Sequence, residues 1–113
     1  MISTEQKATI EQSRGLIPTL QACQAALDMW GIDKQKEMLV EEMGELLTVM
    51  NHERRGRVCK VDVMDEIADV YIMIIQMILA YGLDECNAVI GIRVQKLAMK
   101  LGIVPNPNII PTP

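Results

Sequence analysis

The chain contains no phenylalanine, one tryptophan, two tyrosines and one histidine. Its core must therefore be built mainly from aliphatic side chains and from nine methionines, which fill irregular gaps well. Because His52 is the only histidine, the sequence lacks the repeated Glu-x-x-His motifs of ferritin-like di-iron proteins. Basic charge is also scarce: the formal net charge is −4, and Arg54-Arg55-Gly56-Arg57 is the one concentrated basic run. We expect no nucleic-acid partner, since such binding needs a dense basic patch.

Long apolar segments and paired cysteines are missing as well. The amino terminus has no apolar signal-peptide core. The longest apolar stretch, after Asp69, is about a dozen residues and is interrupted by Gln76, whereas a membrane-spanning helix needs about 20. The three cysteines are odd in number and lack zinc-site spacing, which indicates reduced thiols. These features predict a soluble, cytoplasmic protein without a membrane partner.

The apolar periodicity predicts an all-α fold, a helical bundle of four to five helices. We expect a single domain over residues 1–102 and an extended proline-rich tail over residues 103–113, because proline cannot continue a helix. The tail is either mobile or docked on a neighbouring subunit through Ile109 and Ile110. The expected helices run from Ser3 or Thr4 to Gly15, from Pro18 to Trp30, from Asp33 to between Asn51 and Glu53, from Asp62 to Gly82, and from Asp84 to Leu101.

Two acidic clusters interrupt the apolar pattern, Glu41-Glu42-Met43-Gly44-Glu45 and Asp65-Glu66-Ile67-Ala68-Asp69. Each contains carboxylates three residues apart, and residues with that spacing share a helix face. Two such faces meeting would supply four hard oxygen ligands, which suit Mg²⁺ held together with substrate phosphates. The pattern therefore indicates phosphate chemistry.

A helical projection separates the three glutamates of the first cluster. Glu42 falls inside the apolar arc, Glu45 lies at its edge, and Glu41 points further round towards solvent. Burying an ionised carboxylate is expensive unless a cation or hydrogen bonds compensate it. Glu42 is therefore the strongest candidate ligand, while Glu41 also fits an ordinary solvated charge.

The second cluster opens a helix that is apolar almost all round from Val70 to Tyr81. One narrow polar sector remains, formed by Asp65, Glu66, Asp69 and Gln76. Acidic residues in a first turn also complement the helix dipole, which explains Asp65 and Glu66 better than Asp69. The apolar surface exceeds what three neighbouring helices could cover, which predicts a homo-oligomer, either a dimer or a tetramer.

The double motif Glu42-x-x-Glu45 and Glu66-x-x-Asp69 resembles the signature of the MazG-like, all-α nucleoside triphosphate pyrophosphohydrolases. The resemblance covers about residues 30–100 and includes the flanking segments Gly31-Ile32-Asp33-Lys34-Gln35 and Glu66-Ile67-Ala68-Asp69-Val70. It implies hydrolysis of a nucleoside triphosphate to the monophosphate and pyrophosphate, with Mg²⁺ as the cofactor and Mn²⁺ as a substitute.

The resemblance also implies roles for individual residues. Glu42, Glu45, Glu66 and Asp69 would hold the metal, and Glu42 or Glu45 would also position the attacking water, with Glu41 in reserve as the base. Basic side chains of the last helix would contact the triphosphate, namely Arg93, Lys96 and Lys100. Lys96 is the first choice, since Lys100 stands where many relatives carry asparagine; a solvated basic face explains the same stripe. Apart from the resemblance, Trp30 could stack on the base or have a role in the core or at a helix end, and the proximity of Lys34 and Gln35 to the first motif makes them candidate substrate contacts.

The two motifs can face each other only if the connection between their helices places them at the same height along the helix axes. Glu42 lies many residues before this connection, whereas Glu66 lies about one turn after it, so a tight hairpin would leave the pairs out of level. We therefore expect the segment from Asn51 to Val61 to run back along the bundle, or another chain to complete the site.

Two other functions fit the same residues. One is a related all-α hydrolase that acts on phosphoribosyl-ATP or on a deoxynucleotide, with the same carboxylates and a different base pocket. The other is a non-catalytic helical oligomerisation module whose acidic residues merely solvate helix ends. Binding of Mg²⁺ separates the module from the enzymes, and substrate profiling separates the enzymes from each other.

Overall fold

The structure, a computed structural model, describes the backbone of residues 3–103 and the side chains of residues 3–5, 7 and 18–103. Over this range the chain forms four α-helices and no strand, which confirms the all-α prediction. The helices are α1 (Thr4–Trp30), α2 (Ile32–Arg54), α3 (Lys60–Tyr81) and α4 (Leu83–Lys100). The predicted tail lies, from residue 104 onward, outside the described residues. No helix among residues 3–103 is long and apolar enough to cross a membrane.

The first helix is continuous, where the sequence predicted two helices separated between Gly15 and Pro18. Proline removes one backbone donor and glycine lowers helix propensity by about 1 kcal/mol, and neither effect is large enough here to end the helix. This is the reason that the chain has four helices within the described range rather than five.

Glycines with positive φ set the starts of two helices. Gly31 (φ 83°) precedes α2 and Gly82 (φ 119°) precedes α4, in a region of backbone conformation that other residues rarely adopt. The acidic residues predicted as N-caps, Asp33 and Asp84, therefore lie inside the first turn of their helices. There they face the positive end of the helix dipole.

The connection between α2 and α3 is short and capped at both ends. Gly56 (φ 70°) donates its backbone N–H to the carbonyl of Glu53, and Arg57 donates to the carbonyl of His52, which together form a Schellman motif. At the start of α3 the Asp62 carboxylate accepts a hydrogen bond from the backbone N–H of Cys59 at 2.9 Å. Asp62 thus lies in the first turn of α3, and its carboxylate bonds the backbone of Cys59, the residue before the helix. The helix begins at Lys60, two residues earlier than predicted.

The chain divides into two compact units between Ala80 and Tyr81. In the first unit α1, α2 and α3 pack together, and the Cys23 thiol of α1 donates to the carbonyl oxygen of Ile72 in α3 at 3.6 Å. The buried apolar side chains among the described residues are Cys23, Val63, Val70 and Met73. The second unit contains α4, which among its described residues has no buried side chain.

Candidate functional site

The packing of α2 against α3 brings carboxylates of the two motifs together. Oxygen atoms of Glu42, Glu45 and Glu66 all lie within 4.8 Å of one another. We refer to these three residues as the carboxylate cluster. Asp69 is not one of the three, although its charge acts on both Glu42 and Glu66.

The two motifs are level because the helices extend further towards each other than the sequence indicated. Glu45 lies nine residues before the end of α2 at Arg54, and Glu66 lies six residues after the start of α3 at Lys60. The difference of three residues corresponds to about 4.5 Å along a helix axis, a distance that the five-residue connection absorbs. The expectation that this connection runs back along the bundle is therefore wrong.

Exposure of the acidic side chains follows the helical projection in the first motif, whereas in the second motif Glu66 is more buried than Asp69, which the projection did not predict. Glu42 and Glu66 are half-buried, while Glu41, Glu45, Asp65 and Asp69 are exposed. The Oε2 atoms of Glu42 and Glu66 are buried and accept no hydrogen bond from the described part of the chain. Buried polar atoms normally have a partner, so two unpaired acceptors in one cluster are unusual.

The electrostatics of the cluster favour protonation. Burial, together with the charges of Glu45 and Asp69, raises the pKa of Glu42 to about 7. Burial also raises the pKa of Glu66, again with contributions from Glu45 and Asp69, while a hydrogen bond with Glu42 acts in the opposite direction. The cluster therefore holds a proton near neutral pH more readily than isolated glutamates would.

Two grooves lie on different faces of α2 and share Gly44 in their linings. The described residues that line the polar groove, about 500 Å³, all belong to α2, namely Glu41, Gly44, Glu45, Thr48, Val49 and His52. The apolar groove, about 470 Å³, lies between α2 and α3 and is lined by Met43, Gly44, Leu46, Leu47, Met50, Val70 and Ile74. Glu45 thus connects the carboxylate cluster with the polar groove, which also contains Glu41.

The remaining predicted contacts are exposed side chains. Trp30 is the last residue of α1 and is 53% exposed. Arg93, Lys96 and Lys100 are exposed on α4, three and four residues apart, and therefore share one face of that helix. They belong to the second unit, and their approach to a triphosphate stays a prediction.

One buried polar pair was not recognised from the sequence. Gln35 and Gln76 are 4% and 3% exposed, and the Gln35 Nε2 donates to the Gln76 Oε1 at 2.6 Å. Gln76 also donates from Nε2 to the Met73 sulfur at 3.6 Å. The suggestion that Gln35 contacts substrate is not supported, since its side chain faces α3. The sequence contains one signal for this pair: a glutamine lies seven residues before Glu42, and another lies seven residues after Asp69.

The cluster consists of carboxylate oxygens, and two of these, the Oε2 atoms of Glu42 and Glu66, have no hydrogen-bond partner among the described residues. Such a set of hard oxygen ligands fits a divalent cation such as Mg²⁺ or Mn²⁺. Comparisons with models of known protein families, with curated proteins and with solved structures gave no match.

Proposed function

We propose that the protein is a Mg²⁺-dependent nucleoside triphosphate pyrophosphohydrolase that converts a nucleoside or deoxynucleoside triphosphate to the monophosphate and pyrophosphate. The observation that carries the proposal is the meeting of both acidic motifs in one cluster, where two buried carboxylate oxygens have no described partner. The resemblance of these motifs to those of MazG-like enzymes supplies the reaction.

Glu42, Glu45 and Glu66 would hold the cation, and Asp69 would join them after a change of side-chain rotamer or through a water molecule. When bound, Mg²⁺ would neutralise phosphate charge and lower the pKa of a coordinated water. The donor set supports this assignment, because an ion would satisfy the unpaired Oε2 atoms and relieve the repulsion between the carboxylates.

The chain's own side chains have separate tasks in the proposal. Glu45 is exposed and reaches the polar groove, so it is placed to orient a water molecule that enters from solvent. Glu41 lines the same groove and is the second candidate for accepting the proton of this water. Lys96, with Arg93 and Lys100, would bind the triphosphate as cationic hydrogen-bond donors.

We further propose that the enzyme is a homo-oligomer. Large apolar side chains remain exposed around the apolar groove, including Met43 at 53%, Leu47 at 65% and Ile74 at 43%. Contiguous apolar surface of this kind is typical of protein–protein interfaces. We expect a second copy of the chain to cover it.

The direct test is incubation with a panel of canonical and modified nucleoside triphosphates, with Mg²⁺ or with chelator, followed by quantification of pyrophosphate and monophosphate. We expect equimolar formation of the two products with at least one substrate, and only in the presence of the ion. Release of inorganic phosphate instead would indicate cleavage at a different bond. Complete inactivity together with no binding of Mg²⁺ would favour the non-catalytic oligomerisation module. Phosphoribosyl-ATP is included in the panel, because its hydrolysis would identify the related all-α hydrolase instead.

A further inference from the structure

The amide pair of Gln35 and Gln76 lies in the same α2–α3 interface as the carboxylates. Gln35 precedes Glu42 by seven residues, and Gln76 follows Asp69 by seven residues. Seven residues are two helical turns, or about 10 Å, so the pair lies two turns from the carboxylates on both helices. The glutamines and the two motifs are therefore in one antiparallel register.

The surrounding contacts do not specify this register by themselves. Val70 and Met73 are the buried apolar neighbours on this part of α3, and apolar contact has no directional requirement. A displacement of one helical turn, about 5 Å, would preserve much apolar contact but would break a 2.6 Å hydrogen bond. It would also leave buried amides unpaired, which is costly in an apolar environment.

The carboxylates lie between two fixed ends of the α2–α3 hairpin. The Schellman motif at Gly56 and the hydrogen bond from Cys59 to Asp62 fix the end at the connection. The other end has no covalent connection between α2 and α3, and there a buried hydrogen bond from Gln35 to Gln76 joins the two helices. Mutual repulsion of Glu42, Glu45 and Glu66 acts between these ends and favours separation of the helices.

We propose that Gln35 and Gln76 are positioning residues, whose hydrogen bond fixes the register of α2 against α3 at the end remote from the connection. Together with the capped connection, it thereby keeps the two carboxylate motifs at the same height along the helices. A buried polar pair that fixes register at some expense of stability is well known in coiled coils. The structural part of this inference stands on the geometry alone, and its consequence for turnover rests on the proposed function.

The test compares Gln35→Leu, Gln76→Leu and the double variant with a control, Val63→Ala, which removes buried apolar contact without removing a directional bond. Each single variant leaves one buried amide without its partner, so we expect it to unfold at a lower urea concentration than the double variant. Single variants as stable as the double variant would overturn the inference, because the amides would then not be paired in solution.

Register is measured directly by the distance between spin labels on α2 and α3. The labels are attached at Glu37→Cys and Met64→Cys, both exposed positions, in a background of Cys59→Ser and Cys86→Ser, with Cys23 left in place because it is buried. A sample without the two new cysteines shows that Cys23 is not labelled. We expect one narrow distance distribution for the wild-type pair and for Val63→Ala.

In the Gln35→Leu/Gln76→Leu variant we expect this distribution to split or widen by about one helical turn, about 5 Å. An unchanged distribution would overturn the inference. Pyrophosphate release is recorded on the same variants, and we expect it to fall in the double variant and to persist in Val63→Ala. If the wild-type protein releases no pyrophosphate, the proposed function fails, while the distance measurement still decides the role of the glutamines.

Discussion

Glu42 of α2 and Glu66 of α3 each have a buried Oε2 atom that accepts no hydrogen bond from the described residues, within a group of three carboxylates whose oxygens lie within 4.8 Å. Such an arrangement is unfavourable when all three groups are ionised, because like charges repel strongly where water is excluded. A proton or a cation resolves the conflict.

Glu42→Gln should abolish hydrolysis and preserve the helical fold, because it removes one anionic ligand without opening a cavity. We expect turnover to fall by at least about 100-fold, since mutation of residues that only support a metal ligand already lowers metal affinity or activity by up to about that factor. Circular dichroism and pyrophosphate release are measured on one sample. Glu37→Gln, at an exposed position of the same helix, is the control and should retain wild-type turnover.

Without metal, stability should decrease as the pH rises from about 4.5 to about 7. The folded state holds the Glu42 proton more tightly than the unfolded state, because burial raises its pKa to about 7. Between the two pKa values the folded protein therefore binds more protons, and the free energy of unfolding falls with increasing pH. The raised pKa of Glu66 acts in the same direction. Urea unfolding in chelator at several pH values tests this dependence, and a rise in stability over the window would contradict it.

Glu42→Gln should also flatten this pH dependence and make the metal-free protein more stable at pH 8, because one of the repelling charges is gone. The Glu37→Gln control should keep the wild-type slope. Equal slopes in Glu42→Gln and wild type would show that the Glu42 carboxyl is not the group responsible.

Mg²⁺ should raise the melting temperature, and the effect should depend on the cluster. An ion that binds the folded state alone stabilises it by about 2.7 kcal/mol when its concentration is a hundredfold above Kd. We expect the increase to be lost in Glu66→Gln and retained in Glu37→Gln. Calorimetric titration without nucleotide gives the affinity independently, and absence of binding at millimolar Mg²⁺ would contradict the metal assignment.

Lys96→Ala should reduce kcat/KM by a factor that corresponds to a loss of about 1.5 to 3 kcal/mol of transition-state stabilisation. This is the usual effect of losing a charge-assisted hydrogen bond. Metal affinity measured without nucleotide should change little, because the lysine is proposed to contact phosphate. Alanine variants of Arg93 and Lys100 provide the comparison along the same face of α4. Wild-type kinetics in Lys96→Ala would restore the interpretation of this face as a solvated basic stripe.

Ile74→Glu should disrupt self-association, because it places an unpaired charge in the apolar groove. Met29→Glu, at an apolar position of α1 that is 75% exposed and does not line the groove, is the matched control. Light scattering at micromolar concentration measures the mass of both variants and of the wild type. A monomeric wild-type protein would contradict the oligomer, although hydrolysis could still occur.

The sequence predicted the relative burial of Glu41 and Glu42, because helical periodicity reports the angular position of a side chain. It ranked Glu42 as more buried than Glu41, which the structure confirms, whereas Glu45, placed at the edge of the apolar arc, is exposed like Glu41 and lines the same polar groove. Periodicity within one helix contains no information on the axial level of a second helix. The alignment of Glu45 with Glu66 therefore depended on the connection, whose capped turn at Gly56 was not foreseen.

Gln76 illustrates the limit of the same reasoning. The projection placed it in a polar sector with Asp65 and Asp69, which are exposed, yet Gln76 is buried against Gln35. A polar sector can face either solvent or another polar side chain, and only the packing of the partner helix distinguishes the two. The break predicted at Pro18 failed for a related reason, since local propensity is a weak effect compared with the packing of a long helix.

The capped connection makes the α2–α3 hairpin a local structure along the chain. Glu45 and Glu66 are 21 positions apart, whereas Gln35 and Gln76 are 41 apart, so pairing that starts at Gly56 joins the carboxylates first. We therefore expect that during folding the acidic groups approach one another before the amides pair at the far end. Their repulsion opposes hairpin assembly at its midpoint, and neutralisation by protons or by divalent cations would accelerate folding as well as stabilise its product.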